Sequence, residues 1–225
     1  MKMKKKKKNK RGLILIISGL LLIAAALFLT GYNIWDNNRA KKEADNTVKV
    51  LMEELKVETE SPKEEESSPV SVETEEPIEE TVPEIPIYIR NPLMEMPIKT
   101  VDGIDYIGII ELPALDIVLP VASKCNDQIL KSAPCRFYGS VYTDDIVIAA
   151  HNYDAHFGKI TGLKTGDDVV FTDMDGNVFV YSVVGHETID GNDVEGMISE
   201  GWDMTLFACN FSGDKRVAVR CEKAD

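Results

Sequence analysis

The chain has 225 residues, 44% of them hydrophobic, which is enough for one sizeable core plus accessory segments. Its net charge of −13 argues against nucleic acid as a main partner. The charge is divided by region: residues 1–12 carry +8, residues 36–95 carry −10 and residues 96–225 carry −11, so the chain does not read as one globule.

Residues 1–12 form a basic tail, followed by "LILIISGLLLIAAALFLTGY" at residues 13–32. Twenty residues at about 1.5 Å each span about 30 Å, the hydrocarbon thickness of a bilayer. A cleaved signal peptide has a shorter apolar stretch and a small-residue cleavage site. This stretch is longer and runs into Tyr32 and Trp35, which suit a membrane interface. Residues 13–32 are therefore expected to be an uncleaved anchor in contact with membrane lipid. The lysine cluster places the N-terminus in the cytoplasm and the rest of the chain outside.

Residues 33–95 are rich in Glu, Pro, Ser and Thr and hold too little apolar surface to offset the entropy of ordering. The expectation is a disordered, extended stalk, with a short amphipathic helix around Val48–Leu55.

From residue 96 onward the pattern becomes short β-rich runs divided by turn residues. "DYIGIIEL" and "DIVLPVA" are separated by Pro113, and "DIVIAA" leads into His151. "DDVVFTDMDGNVFVYSVVGHETI" reads as a hairpin around Asp175, Gly176 and Asn177. "DMTLFAC" and "KRVAVRC" form a last pair around Ser212, Gly213 and Asp214, while "SKCNDQILKSA" and "HFGKITGL" read as short helices. Seven or eight such strands in residues 96–225 suit a mainly β fold, a closed or nearly closed barrel with a sandwich as the alternative. "DMDGN" opens like an EF-hand loop, but counting from Asp173 puts Val178 and Val184 where that loop needs Gly and an acid, so a hairpin turn is expected.

Cys125, Cys135, Cys209 and Cys221 lack C-x-x-C spacing, which argues against structural zinc. Outside the cell Cys125 and Cys135 can pair, though spacing does not decide it; a Cys209–Cys221 bridge is not expected. His151 and Cys209 each end a β-run, where a strand hands over to a loop. A cysteine nucleophile needs an imidazole to exchange protons and a donor for the oxyanion, which Arg216 can supply. Taken singly, such a Cys is more often core and such a His more often structural.

The ordered set of H-N after an apolar strand, F-G-x-[IL] followed by G-D, T-L-x-x-C and R-x-x-V-R is more specific than any one of its parts. Through "VIAAHNYDAHFGKITGLKTGDDVVFTDMDGNVFVYSVV" and "MTLFACNFSGDKRVAVRCE", residues 100–223 resemble a sortase, a cysteine transpeptidase of Gram-positive cell surfaces. The resemblance implies an eight-stranded β-barrel, with His151 as catalytic histidine, Cys209 as nucleophile and Arg216 as catalytic arginine. Arg220 shares Arg216's strand face and is its rival for that role, whereas His156 and His186 do not match the family's histidine. His156 is expected to line a surface loop.

The implied partners are secreted proteins bearing a C-terminal sorting signal and an amine of a cell-wall precursor or a pilin lysine. The implied chemistry requires no metal cofactor, although some members use calcium as an activator. Ala208 stands where the family usually has Thr or Ser, which removes a hydroxyl near the nucleophile. The class stays open: "RFYGSVYTDD" and "HNYDAHFGKI" are class B-like, but the stretch before "DMTL" is too short for that class's long extra helix. With no second span after the domain and no lid motif, pilus polymerisation is the less expected activity. The competing readings are a hydrolytic cysteine peptidase and a non-catalytic extracellular β-barrel binding module on a stalk.

Overall fold

The computed structural model describes residues 10–60, 85–199, 201–210 and 212–224. The chain divides into two units, residues 1–39 and 40–225. In the first, helix α1 (Lys10–Glu60) begins, and its side chains from Leu13 to Leu29 are largely exposed and apolar. This is one helix long and apolar enough to cross a membrane. The basic tail lies outside the described residues except for its end.

In the second unit α1 continues to Glu60, so the first half of the expected stalk is helical instead of extended. Ala40, Ala44, Val48 and Leu51 are buried, one residue per turn along a single face. Leu51 joins a cluster with Tyr106 and Ile109 on the barrel's outer surface. Burial raises the Tyr106 hydroxyl's pKa, partly offset by its hydrogen bond with Thr47. The acidic stretch 61–84 lies outside the described residues. The folded part also starts before residue 96: in the short helix α2 (Ile87–Arg90), Tyr88 stacks on Tyr142 with ring centroids 4.9 Å apart, and Met96 is buried in the core.

Nine strands follow among the described residues: β1 (Lys99–Val101), β2 (Ile104–Leu112), β3 (Ile117–Ala122), β4 (Cys135–Tyr138), β5 (Ile146–Ala150), β6 (Asp168–Asp173), β7 (Val178–Asp190), β8 (Met204–Cys209) and β9 (Lys215–Lys223). Their order is β1-β2-β3-β4-β5-β8-β9-β7-β6, and β6 pairs back onto β2. The ring therefore has eight strands, with β1 as an extra edge partner of β2. Two of these, β1 and β4, are too short to stand out as alternating runs, and the two expected helices are single 3₁₀ turns at Ile129–Lys131 and Ile160–Gly162.

Closure depends on Gly108, where β2 shifts register against β3 and also pairs with Asp173 of β6. A Cβ there would lie 2.4 Å from the Thr172 carbonyl oxygen and 2.5 Å from the Phe171 ring, so only glycine fits this approach. Alternation along the strands sorts the side chains: Ile148, Phe171, Val183, Leu206 and Val219 fill the interior. Val147, Ala149, Phe207 and Ala218 belong to the second cluster, on the outer face.

The β6–β7 turn is held by Asp173, which is fully buried. Its Oδ1 accepts from the amides of Asp175 (2.9 Å) and Asn177 (2.8 Å), and its Oδ2 accepts from Tyr142 Oη (2.7 Å) and Asn177 Nδ2 (2.9 Å). The D-x-D-x-N sequence thus encodes a turn whose first carboxylate is spent on the protein itself. Burial and then the Asp173 hydrogen bond push the Tyr142 hydroxyl's pKa up. Asp173→Ala, which strands four donors, is expected to cost about 3 kcal/mol in urea unfolding; a loss below about 0.5 kcal/mol would contradict this role.

Candidate active site

Strands β5 and β8 run parallel, with Ala150 opposite Ala208. His151 follows β5 directly and Cys209 ends β8, so both leave the same end of neighbouring strands. On the other side β9 runs antiparallel to β8 and sets Arg216 opposite Cys209. Alternation gives all three the outward parity of Ala149, Phe207 and Ala218. His151, Cys209 and Arg216 line one cleft of about 800 Å³ on the outside of the barrel wall.

The floor of the cleft is Ala149 and Phe207. Phe137 meets Phe207 edge-on at 5.3 Å between centroids. One wall comes from the segment between β3 and β4, through Asn126, Leu130 and Lys131. A Cys125–Cys135 disulfide ties this segment to β4 with a Cα separation of 5.0 Å. Asn126 Oδ1 starts its turn by accepting from the amides of Gln128 and Ile129. The opposite wall comes from the β7–β8 loop, where the one-turn helix α3 (Val194–Met197) presents Val194 and Met197. This loop indeed has no room for a long helix.

The His151 ring stacks on Tyr153 with centroids 4.7 Å apart, and Tyr153 in turn leans on His156. His156 is fully buried, a correction to its expected place on a surface loop. It belongs to the packing beneath the β5–β6 loop. His186 sits on β7 with Nε2 3.4 Å from the Ile160 carbonyl. Ala208 is buried in the barrel interior, on the face opposite Cys209. A hydroxyl at 208 would point into the core, so its absence does not change the cleft.

The turn joining Cys209 to Arg216 is built around Asn210. Its Oδ1 accepts from the amides of Gly213 (2.8 Å) and Lys215 (3.2 Å), while Nδ2 donates to Ser212 Oγ and Asp214 Oδ1, each 2.9 Å away. Hydrogen bonds from Ser212 and Asn210 hold the exposed Asp214 carboxyl below the usual range. Arg216 Nη1 donates to the carbonyls of Gly213 and Lys215, each at 3.2 Å. Space for the guanidinium comes from Gly191, where a Cβ would lie 3.2 Å from that nitrogen and 2.7 Å from the Asp214 carbonyl oxygen. Neither Asn210 nor Gly191 stood out in the sequence, although N-x-S-G-D after the cysteine is a turn signal.

The two arginines of "RVAVR" part company in their surroundings. Arg220 is 1% exposed. Its Nε donates to Glu187 (2.8 Å), Nη1 to the Met197 carbonyl (3.0 Å) and Thr205 Oγ1 (2.9 Å), and Nη2 to the Gly196 carbonyl (2.7 Å), while Nη2 also lies 2.7 Å from the Glu187 carboxylate as an ion pair. Four of the five N–H donors of the guanidinium are thus hydrogen-bonded within the protein, and the group is paired with a carboxylate. Buried and committed to these acceptors, Arg220 does not line the cleft, whereas Arg216 does.

Cys209 and Cys221 are free thiols of opposite character. Cys209 is half-buried at the cleft, whereas Cys221 is in the core, and burial pushes its thiol up to about 12. At pH 8 that leaves a thiolate fraction of about 10⁻⁴. Iodoacetamide on the native chain should therefore label Cys209 at the cleft and leave buried Cys221 unlabelled until denaturation. Peptide mapping checks this, and equal labelling of both would contradict it.

Among known proteins, a family model, the sortase domain, matches residues 110–224. Among solved structures, the chain is similar to sortase A from Corynebacterium diphtheriae, with 20% identity over 54% of this chain and 62% of that one, at a TM-score of 0.48. It is also similar to Streptococcus pneumoniae sortase C (26% identity, 56% and 69% covered, TM-score 0.48). A third is sortase C1 from Streptococcus agalactiae (22% identity, 56% and 71% covered, TM-score 0.49). The chain thus spans less than two thirds of the Corynebacterium protein. No curated protein matches.

Proposed function

The chain belongs to the sortase family, and from that premise we propose that it is a membrane-anchored cysteine transpeptidase working at the outer cell surface. The observation that carries this reading is the convergence of His151, Cys209 and Arg216 on one cleft from the same end of three adjacent strands. Residues 13–32 serve as the anchor, the basic tail stays in the cytoplasm and the barrel acts outside.

In the proposed reaction the Cys209 thiolate attacks a carbonyl carbon in the C-terminal sorting signal of a secreted protein. Arg216 stabilises the oxyanion of the tetrahedral intermediate. As that intermediate collapses, the C–N bond breaks and His151 gives a proton to the departing amine, leaving a thioester on Cys209. An acceptor amine, from a cell-wall precursor or a pilin lysine, then attacks the thioester while His151 takes its proton. The new amide bond forms and Cys209 leaves as thiolate. None of these steps calls on a metal. The disulfide-tied wall and the β7–β8 loop frame the groove for the signal, with Phe137, Phe207 and Met197 supplying apolar contact.

The test is turnover of fluorogenic sorting-signal peptides by the full chain in detergent, with and without triglycine. Amide-linked peptide–triglycine product supports transpeptidation. Hydrolysis alone, undiverted by the amine, would favour a cysteine peptidase, and no turnover of any peptide would favour a binding module.

A further inference from the structure

We infer that Arg220 is a positioning residue that fixes the β7–β8 wall of the cleft and so sets how tightly the peptide substrate is held. The inference rests on the transpeptidase reading of the cleft and adds a residue that reading does not use.

The wall in question is a short loop. Between Asn192 and Trp202 its regular structure is the single turn α3, begun by Asp193, whose carboxylate accepts from the Gly196 amide at 2.8 Å. One turn has no stability of its own. Its ends are tied to the barrel by the Gly191 amide on the Asp214 carbonyl and the Asp203 amide on the Cys221 carbonyl. Between those ends, besides the Asp193 amide's bond back to the Asp190 carbonyl at the end of β7, the hydrogen bonds among the described residues that reach from loop to barrel are those of Arg220, to the carbonyls of Gly196 and Met197. These two carbonyls close α3, and Met197 and Val194 of the same turn line the cleft facing Cys209.

The same guanidinium is fixed at its other edge. Glu187 of β7 accepts from Nε and pairs its charge with Nη2 at 2.7 Å, Thr205 of β8 accepts from Nη1, and the Trp202 ring lies 6.0 Å from Cζ. Arg220 therefore joins β7, β8, β9 and the loop in one planar fork. A lysine ammonium has three donors at one point and cannot span these acceptors. Because the loop carries cleft residues while the nucleophile sits on β8, loosening the clamp should weaken substrate binding and leave the thiol chemistry alone.

The experiment compares wild type, Arg220→Lys and Glu187→Gln in the full chain. Glu187 is half-exposed, so its variant keeps the fold even if the lysine variant does not. Three quantities are read: KM and kcat for a sorting-signal peptide, the pH profile of Cys209 alkylation by iodoacetamide, and amide hydrogen exchange at residues 192–199. The expectation is a KM raised about fivefold or more, with kcat and the alkylation profile unchanged. Exchange at 192–199 should quicken about tenfold while β8 keeps its protection. Glu187→Gln should move the same quantities less. Unchanged KM and loop exchange would overturn the inference, as would a fall in kcat and alkylation with KM unmoved. A wild type that alkylates at Cys209 but turns over no peptide would sink the transpeptidase reading; loop exchange in the variants then decides the clamp by itself.

Discussion

Cys209→Ala is expected to abolish peptide transfer, and His151→Ala to lower it by about 10³-fold or more, with the melting temperature of both variants within about 2 °C of wild type. Position is the reason. Cys209 is the last residue of β8 and is only half-buried, with its side chain on the cleft rather than in the interior where Ala208 and Leu206 pack. Removing its sulfur opens no cavity in the core, so stability has little to lose. In the proposed mechanism the reaction loses the atom that carries the acyl group. His151 is likewise outside the strand, its ring stacked on Tyr153, and what its loss removes in that mechanism is the proton donor for the leaving amine. Turnover and thermal melts on the same preparations check both halves. A Cys209→Ala variant that still transfers peptide would contradict the assignment, and one that unfolds would mark this thiol as structural.

The two arginines should separate just as sharply. Arg220→Ala leaves two carbonyls and the buried Thr205 hydroxyl without their donor and the half-exposed Glu187 carboxylate without its partner. Stranding the buried acceptors costs about 3 kcal/mol. Arg216→Ala loses two bonds to carbonyls of a solvent-facing turn, so stability should change by no more than about 0.5 kcal/mol. Its effect should fall on the reaction instead, lowering kcat by about 10²–10³, the usual consequence of losing one oxyanion donor. Urea unfolding and single-turnover acylation, read together, separate the two. If Arg220→Ala folded with normal stability but lost acylation, the catalytic and structural roles of the two arginines would be reversed.

Why spacing alone does not separate the two arginines is a matter of parity. Residues four apart on a strand share a face, so spacing cannot choose between 216 and 220. The choice is made by acceptors that arrive from elsewhere in the chain, at Glu187, Gly196, Met197 and Thr205, and no local pattern announces them. Strands β5, β8 and β9 and the β6–β7 hairpin were legible because apolar alternation and turn residues agree there. Ala208 needed only the same alternation, since neighbours along a strand point to opposite faces.

The docked half of α1 was hidden for a different reason. Its buried face is Ala40, Ala44, Val48 and Leu51 among charged residues, and two alanines carry little of the apolar signal that marks a core helix. Composition said stalk, while tertiary contact with Tyr106 and Ile109 makes it part of the folded unit. His156 shows the converse, a polar residue in a turn-rich loop that is nonetheless fully buried.

A covalent bond at Cys209 is the step on which the whole mechanism depends. Full-length chain in detergent, mixed with a sorting-signal peptide in the absence of any acceptor amine, would be quenched in acid and its intact mass measured, followed by peptide mapping. The mechanism predicts a mass increase equal to the acyl part of the cleaved peptide, located on Cys209, missing in Cys209→Ala and discharged when triglycine is added. No adduct with any sorting-signal peptide, or an adduct carried by another residue, would contradict it.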